Sequence, residues 1–232
     1  MNYGKLYGVG VGPGDPRLMT LLAVETIRKC SVIAVPASGR DSAVSYKIAS
    51  GAVEGLDEKA CIDIETPMTK DRAILEKSYA AAADKIIAEL QTGKDVAYLT
   101  LGDPTIYATY IYIHRIVKER GYEAEIINGI PSFCAAAARL GDSLCDRAEQ
   151  LHIIPSSYDI SQALRLPGNK VLMKAASSLG EVKKAACESG LSLKAVANCG
   201  MENEQVYLSA EELPEKGSYF TLMIVKDEQP LS

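Results

Sequence analysis

Two α/β domains, the first built on a mostly parallel sheet and the second on a mixed one, form the fold class that this sequence predicts. Between Lys5 and Arg120, short apolar runs that read as buried strands alternate with stretches of helical periodicity. After Gly121 the pattern shifts to strand-like runs. The last of these, Tyr219–Val225, alternates as an antiparallel strand does. Hydrophobic residues make up 47% of the 232 and charged residues 24%, a balance that supports two buried cores.

The elements follow in order. Lys5–Gly12 reads as a buried strand entering a glycine-rich turn, and Thr20–Cys30 as a helix capped by Thr20. Ser31–Val35 is a second buried strand, stopped by Pro36. A helix over 42–52, a strand near Cys61–Ile64 and a long alanine-rich helix over Arg72–Thr92, closed by Gly93, come next. Asp95–Thr100 is a strand leading into Leu101-Gly102-Asp103-Pro104, and Ile106–Arg120 is helical. The domain boundary is expected near 120–124, dividing the chain into 1–121 and 122–232. In the second part, a strand at Glu123–Ile127 precedes a turn at Asn128–Ser132 and a helix at Phe133–Leu140. Strands at Leu151–Ile154, Lys170–Met173, Lys194–Ala197 and Tyr219–Val225 complete it. Ligands of parallel α/β sheets collect beyond the carboxyl ends of the strands. Both glycine-containing loops, at 8–15 and 101–104, fall there.

Composition and motifs exclude several classes of function. A net charge of −5, no Trp and two Phe argue against a nucleic-acid surface. The opening residues show no basic segment followed by an apolar one, and no apolar run is long enough to span a bilayer. Cys30, Cys61, Cys134, Cys145, Cys187 and Cys199 are dispersed, with no Cys-x-x-Cys pair and neither His114 nor His152 at zinc spacing. No metal site is expected, and the thiols fit a reducing cytoplasm. The run Gly8-Val9-Gly10-Val11-Gly12-Pro13-Gly14-Asp15 fails as a dinucleotide fingerprint. Read from Gly8 its last position is Pro13, and from Gly10 it is Asp15. No phosphate loop occurs. What the glycines do allow is close approach of a ligand, or another chain segment, to the backbone.

The run Gly8–Thr20 resembles the signature of the tetrapyrrole methyltransferases, which open with Gly-x-Gly-Pro-Gly-Asp followed by Leu-Thr. The resemblance continues in order at Leu101–Tyr107, Gly129–Ser132, Val171–Met173 and Asn198–Met201, spanning almost the whole chain. Within the family, Gly102–Tyr107 with its tyrosine-rich helix (Tyr107, Tyr110, Tyr112) is similar to the subgroup that methylates C20 of precorrin-2 or cobalt-factor II in cobalamin biosynthesis. Thr100 departs from the proline expected before Leu-Gly-Asp. Methylation of uroporphyrinogen III or of a later cobalt-precorrin is the alternative, and a nucleotide-binding module is the alternative from another class.

The resemblance implies S-adenosylmethionine folded into a cleft between two α/β domains and released as S-adenosylhomocysteine. By motif position the cofactor contacts Val11, Pro13, Gly102, Asp103, Ile106, Ser132, Phe133, Met173 and Gly200, mostly through backbone groups. Core packing is the competing reading for Ile106, Phe133 and Met173. Asp103 is expected to accept from the cofactor's amino group or ribose; the competing reading is an Asp that holds its own turn. No residue is assigned as catalytic, because a sulfonium methyl is already activated. The tetrapyrrole partner carries several carboxylates, so Arg40, Lys47, Arg139, Tyr107 and Tyr110 are candidates to receive it; solvated surface charge is the competing reading for the basic residues, and core packing for the two tyrosines. Arg147 and Lys174 lie near the second-domain motifs. The resemblance also implies a homodimer.

Overall fold

Strand β1 (Leu6–Gly10) is buried along its whole length and sits second from one edge of a five-stranded sheet. Its neighbours are β4 (Val96–Thr100) and β5 (Ala124–Ile127), and β2 (Val32–Val35) and β3 (Ala60–Asp63) follow beyond β4. Every pairing is parallel, so β1, β2, β4 and β5 release their following loops at the same edge. The computed structural model describes residues 2–36, 39–155, 158–174, 178–215 and 217–227.

Alternation along the strands sends side chains to two faces. Val9, Ile33 and Leu99 pack beneath α1 (Leu21–Lys29) and α2 (Val44–Ser50). Leu6, Val32, Val96 and Tyr98 pack beneath α3 (Arg72–Gln91) and α4 (Tyr110–Glu119). Burying a side chain such as Ile86 or Leu90 of α3, both 0% exposed, contributes roughly 2 kcal/mol. Thr20 caps α1 as its sequence predicts, accepting from Ala23 N at 3.1 Å. Asp71 caps α3 through Ala73 N and Ile74 N.

Helix α4 begins at Tyr110, four residues later than the periodicity predicts. Tyr107 sits at φ 47°, a left-handed conformation that an α-helix cannot pass through.

The chain divides into compact units at Pro131/Ser132, downstream of the boundary expected at 121/122. The reason is β5. Its residues read as the start of the second domain, yet they pair with β1 as the edge of the first sheet, Leu6 opposite Ala124 and Val9 opposite Ile127.

The second unit holds a mixed sheet, ordered β6 (Leu151–Pro155), β7 (Asn169–Met173), β10 (Thr221–Lys226), β8 (Ser192–Ala197) and β9 (Gln205–Tyr207). β6 and β7 are parallel, whereas β10 is antiparallel to both β7 and β8. β7 and β8 therefore run the same way and end at the same edge. Helices α6 (Ile160–Leu164) and α7 (Leu179–Ser189) cover one face, over Leu172, Ala195 and Met223. Helix α5 (Ser132–Leu140) packs on β8 and β10. Asp142 just beyond it accepts from Lys194 and Lys226, each at 2.8 Å. Those two hydrogen bonds pull its carboxyl down to about 2. Periodicity alone did not reveal α6, α7 or β9.

Candidate functional site

The loops that follow β1, β4 and β5 are joined into one structure at the carboxyl edge of the first sheet. Val11 N donates to Thr100 O at 2.9 Å, extending the β1–β4 ladder by one bond. Gly12 and Gly102 then form an antiparallel bridge, Gly102 N to Gly12 O at 2.8 Å and Gly12 N to Gly102 O at 3.2 Å. Both glycines lie at positive φ, 76° and 71°, where a side chain is strained. The third loop presses equally close. A β-carbon on Gly10 would stand 2.5 Å from Gly129 N and 2.7 Å from Gly102 O. Glycine at position 10 is therefore a packing requirement between three backbone segments.

Asp103 holds the arrangement together. One carboxylate oxygen accepts from Thr105 N (2.7 Å) and Thr105 Oγ1 (2.5 Å), and the other from Asn128 Nδ2 (3.2 Å) and Gly129 N (3.0 Å). An ionised carboxylate offers about four acceptor positions, and these donors take them. Burial raises the Asp103 pKa; the hydrogen bonds from Thr105, Gly129 and Asn128 outweigh it and hold the group below the ordinary carboxylate range. With 5% of its surface exposed, the Asp103 side chain is a latch between the second and third loops. The expectation that this carboxylate reaches a cofactor gives way to the turn-holding reading, because its acceptor capacity is consumed within the protein. Thr20 adds a second tie, its hydroxyl donating to Asn128 O at 3.3 Å while it caps α1.

Val11, Pro13, Gly102, Asp103 and Ile106 thus come together in one cluster, with Val11, Pro13 and Gly102 buried and Ile106 half-buried. The remaining expected cofactor residues belong to the second unit. Ser132 and Phe133 open α5, and Phe133 is buried. Met173 ends β7 and Gly200 follows β8, so the shared direction of those strands puts both at one sheet edge. Gly200, at φ 75°, donates its N–H to Glu204 Oε2 at 2.7 Å.

The candidate substrate residues fare differently. Tyr110 is 0% exposed, fills the space left by the missing side chain of Gly8, and donates to Glu125 O at 2.8 Å. It is a core tyrosine, and the hydroxyl expected to meet substrate is committed to a strand carbonyl. Arg40 is likewise occupied, its guanidinium donating to Asp57 O (2.6 Å) and Lys59 O (2.8 Å) to secure the entry to β3. Arg139 is ion-paired with Glu204. Lys47 and Tyr107 are exposed. His114 bonds to the Tyr110 hydroxyl and His152 to Pro167 O, both at 2.9 Å.

Asn128 and Thr105 were not singled out from the sequence. Their signals were present: a Thr two residues after Asp is the donor of an Asx turn, and an Asn before Gly marks a tight loop. No helix among the described residues is long and apolar enough to cross a membrane.

A parallel sheet with glycine-rich loops at its carboxyl edge, and without a phosphate loop, defines the class of open α/β proteins whose ligands collect beyond the strand ends. The sequence pattern of the tetrapyrrole (corrin/porphyrin) methylases matches residues 5–214. The chain belongs to this family and is a methyltransferase. It is 33% identical over 226 residues, covering 96% of both chains, to a Methanocaldococcus jannaschii protein described as "probable cobalt-precorrin-2 C(20)-methyltransferase". It is 28% identical to a precorrin-2 C(20)-methyltransferase of Sinorhizobium, across 96% of this chain and 95% of that one. The fold matches that of uroporphyrin-III C-methyltransferase from Thermus thermophilus, solved with S-adenosylhomocysteine. The TM-score is 0.70 at 18% identity, over 97% of this chain and 98% of that one.

Proposed function

We propose that the protein transfers a methyl group from S-adenosylmethionine to C20 of precorrin-2 or of cobalt-factor II in cobalamin biosynthesis. The observation that carries this reading is the end-to-end similarity to relatives named for C20 methylation, one of cobalt-precorrin-2 and one of precorrin-2.

Glycine-rich loops at this edge are compatible with a cofactor lying close to main chain, while the bare Gly10 serves the packing of the loops on one another. In this reading Val11, Pro13, Gly102, Asp103 and Ile106 hold the cofactor, joined by Ser132, Phe133, Met173 and Gly200. The share of Asp103 comes through its backbone and through the loop it braces. S-adenosylmethionine supplies an activated methyl group, so the reaction needs no nucleophile from the protein. The chain's task is to orient the two reactants in line and to exclude water. Lys47 and Tyr107, both exposed, remain the first-unit candidates to meet the substrate's carboxylates. The working form in this reading is a cytoplasmic homodimer.

The test is anaerobic incubation with S-adenosylmethionine and precorrin-2, cobalt-factor II or uroporphyrinogen III, with products read by mass spectrometry and NMR. One methyl added at C20 of either of the first two supports the proposal and identifies the substrate. Transfer to uroporphyrinogen III alone overturns the site of methylation while leaving the family intact.

A further inference from the structure

Strand β4 ends in a threonine whose hydroxyl has no use in the fold. Thr100 is 7% exposed, and its Oγ1 is buried without a hydrogen-bond partner among the described residues. Its backbone is committed, accepting from Val11 N. In register it faces Gly10, and by alternation its side chain lies on the same face as Val96 and Tyr98. The adjacent strand offers no side chain on that face at Gly10, where the loops of Gly102 and Gly129 close in. Ser45, Tyr46, Ser78 and Tyr98 in the same unit also carry buried hydroxyls without partners, but they lie within α2, α3 or the middle of β4. Thr100 alone among these five immediately precedes the Gly102–Asp103 loop.

A buried hydroxyl without a partner destabilises the fold, and valine would fill nearly the same volume without that cost. We propose that Thr100 is a cofactor-binding residue whose Oγ1 hydrogen-bonds S-adenosylmethionine held over the Gly102 loop. The proposal rests on the cofactor reading above. It adds a side-chain contact to a site otherwise built from main chain.

The experiment compares wild type, Thr100→Val and Thr100→Ser by calorimetric titration with S-adenosylhomocysteine and by thermal melting of the free proteins. Thr100→Val is expected to melt at or above wild type and to bind about 3- to 10-fold more weakly. Thr100→Ser is expected to melt lower, having lost a buried methyl, while binding within about twofold of wild type. That crossing of effects is what a merely structural residue would not produce. Unchanged affinity in Thr100→Val overturns the proposal. So does a Thr100→Val protein that melts lower or fails to fold, since the hydroxyl would then serve the fold. Absence of binding by wild type itself overturns the cofactor reading, and this proposal with it.

Discussion

At the carboxyl edge of the first sheet, Gly12, Gly102 and Gly129 take their hydrogen-bond partners from loops far apart in sequence, with Asp103 spanning two of them. At the corresponding edge of the second sheet, the bonds of Gly200 stay within one turn, and Asn198 of the motif also reaches the 218–220 segment, through Phe220 O and Ser218 Oγ. Asn198 Nδ2 donates to Asn203 O and Gly200 N to Glu204. The first edge depends on three loops meeting, whereas at the second the Gly200–Glu204 turn closes on itself and Asn198 ties it to the 218–220 segment. Damage at the first edge should therefore spread between loops, and damage at the second should stay local.

The most disruptive test is Gly10→Val. Its side chain must displace the backbone of Gly102 or Gly129, so we expect a loss of about 3 kcal/mol in denaturant unfolding. Binding of S-adenosylhomocysteine should disappear in calorimetry. Full binding by a folded Gly10→Val protein would place the ligand elsewhere.

Asp103→Ala comes next. Removing the latch leaves the Thr105 and Gly129 amides without their acceptor, for a loss of about 2 kcal/mol and roughly tenfold in cofactor affinity. The effect should depend on pH. The folded Asp103 carboxyl titrates below its unfolded value, so its contribution is complete above the ordinary carboxylate range. It is lost as pH falls through the lower, folded pKa. Urea unfolding at pH 7 and pH 3 should show the gap between wild type and Asp103→Ala narrowing in acid. A constant gap would mean that the latch is not electrostatic.

Smallest is Glu204→Ala in the second unit, which frees Gly200 N and unpairs Arg139. About 1 kcal/mol is expected, with altered NMR shifts confined to the 198–205 turn. Shifts spreading through β7 and β10 would erase the contrast between the two edges.

The comparison also explains what the sequence made legible. Strands β1, β2 and β4 and the loops after them were readable because buried strands and glycine turns leave local patterns. The role of Asp103 was not, since two of its four donors come from residues 128 and 129 and become neighbours only once β5 pairs beside β1. The same pairing moved the unit boundary to Pro131. Tyr110 stays open between two readings in the sequence because a tyrosine at helical spacing looks alike whether its hydroxyl meets a ligand or a carbonyl. Only the empty side-chain position of Gly8 distinguishes the two. Short or half-exposed elements such as α6 and β9 carry too few apolar residues to show a period.

If the cofactor sits where we propose, the paired bonds between Gly12 and Gly102 bear on how it is received. The two loops are shaped by the folding of the sheet, so little chain entropy is left to lose when a small molecule arrives. Their amides should resist hydrogen exchange together and open together, because neither bond is released without displacing both loops.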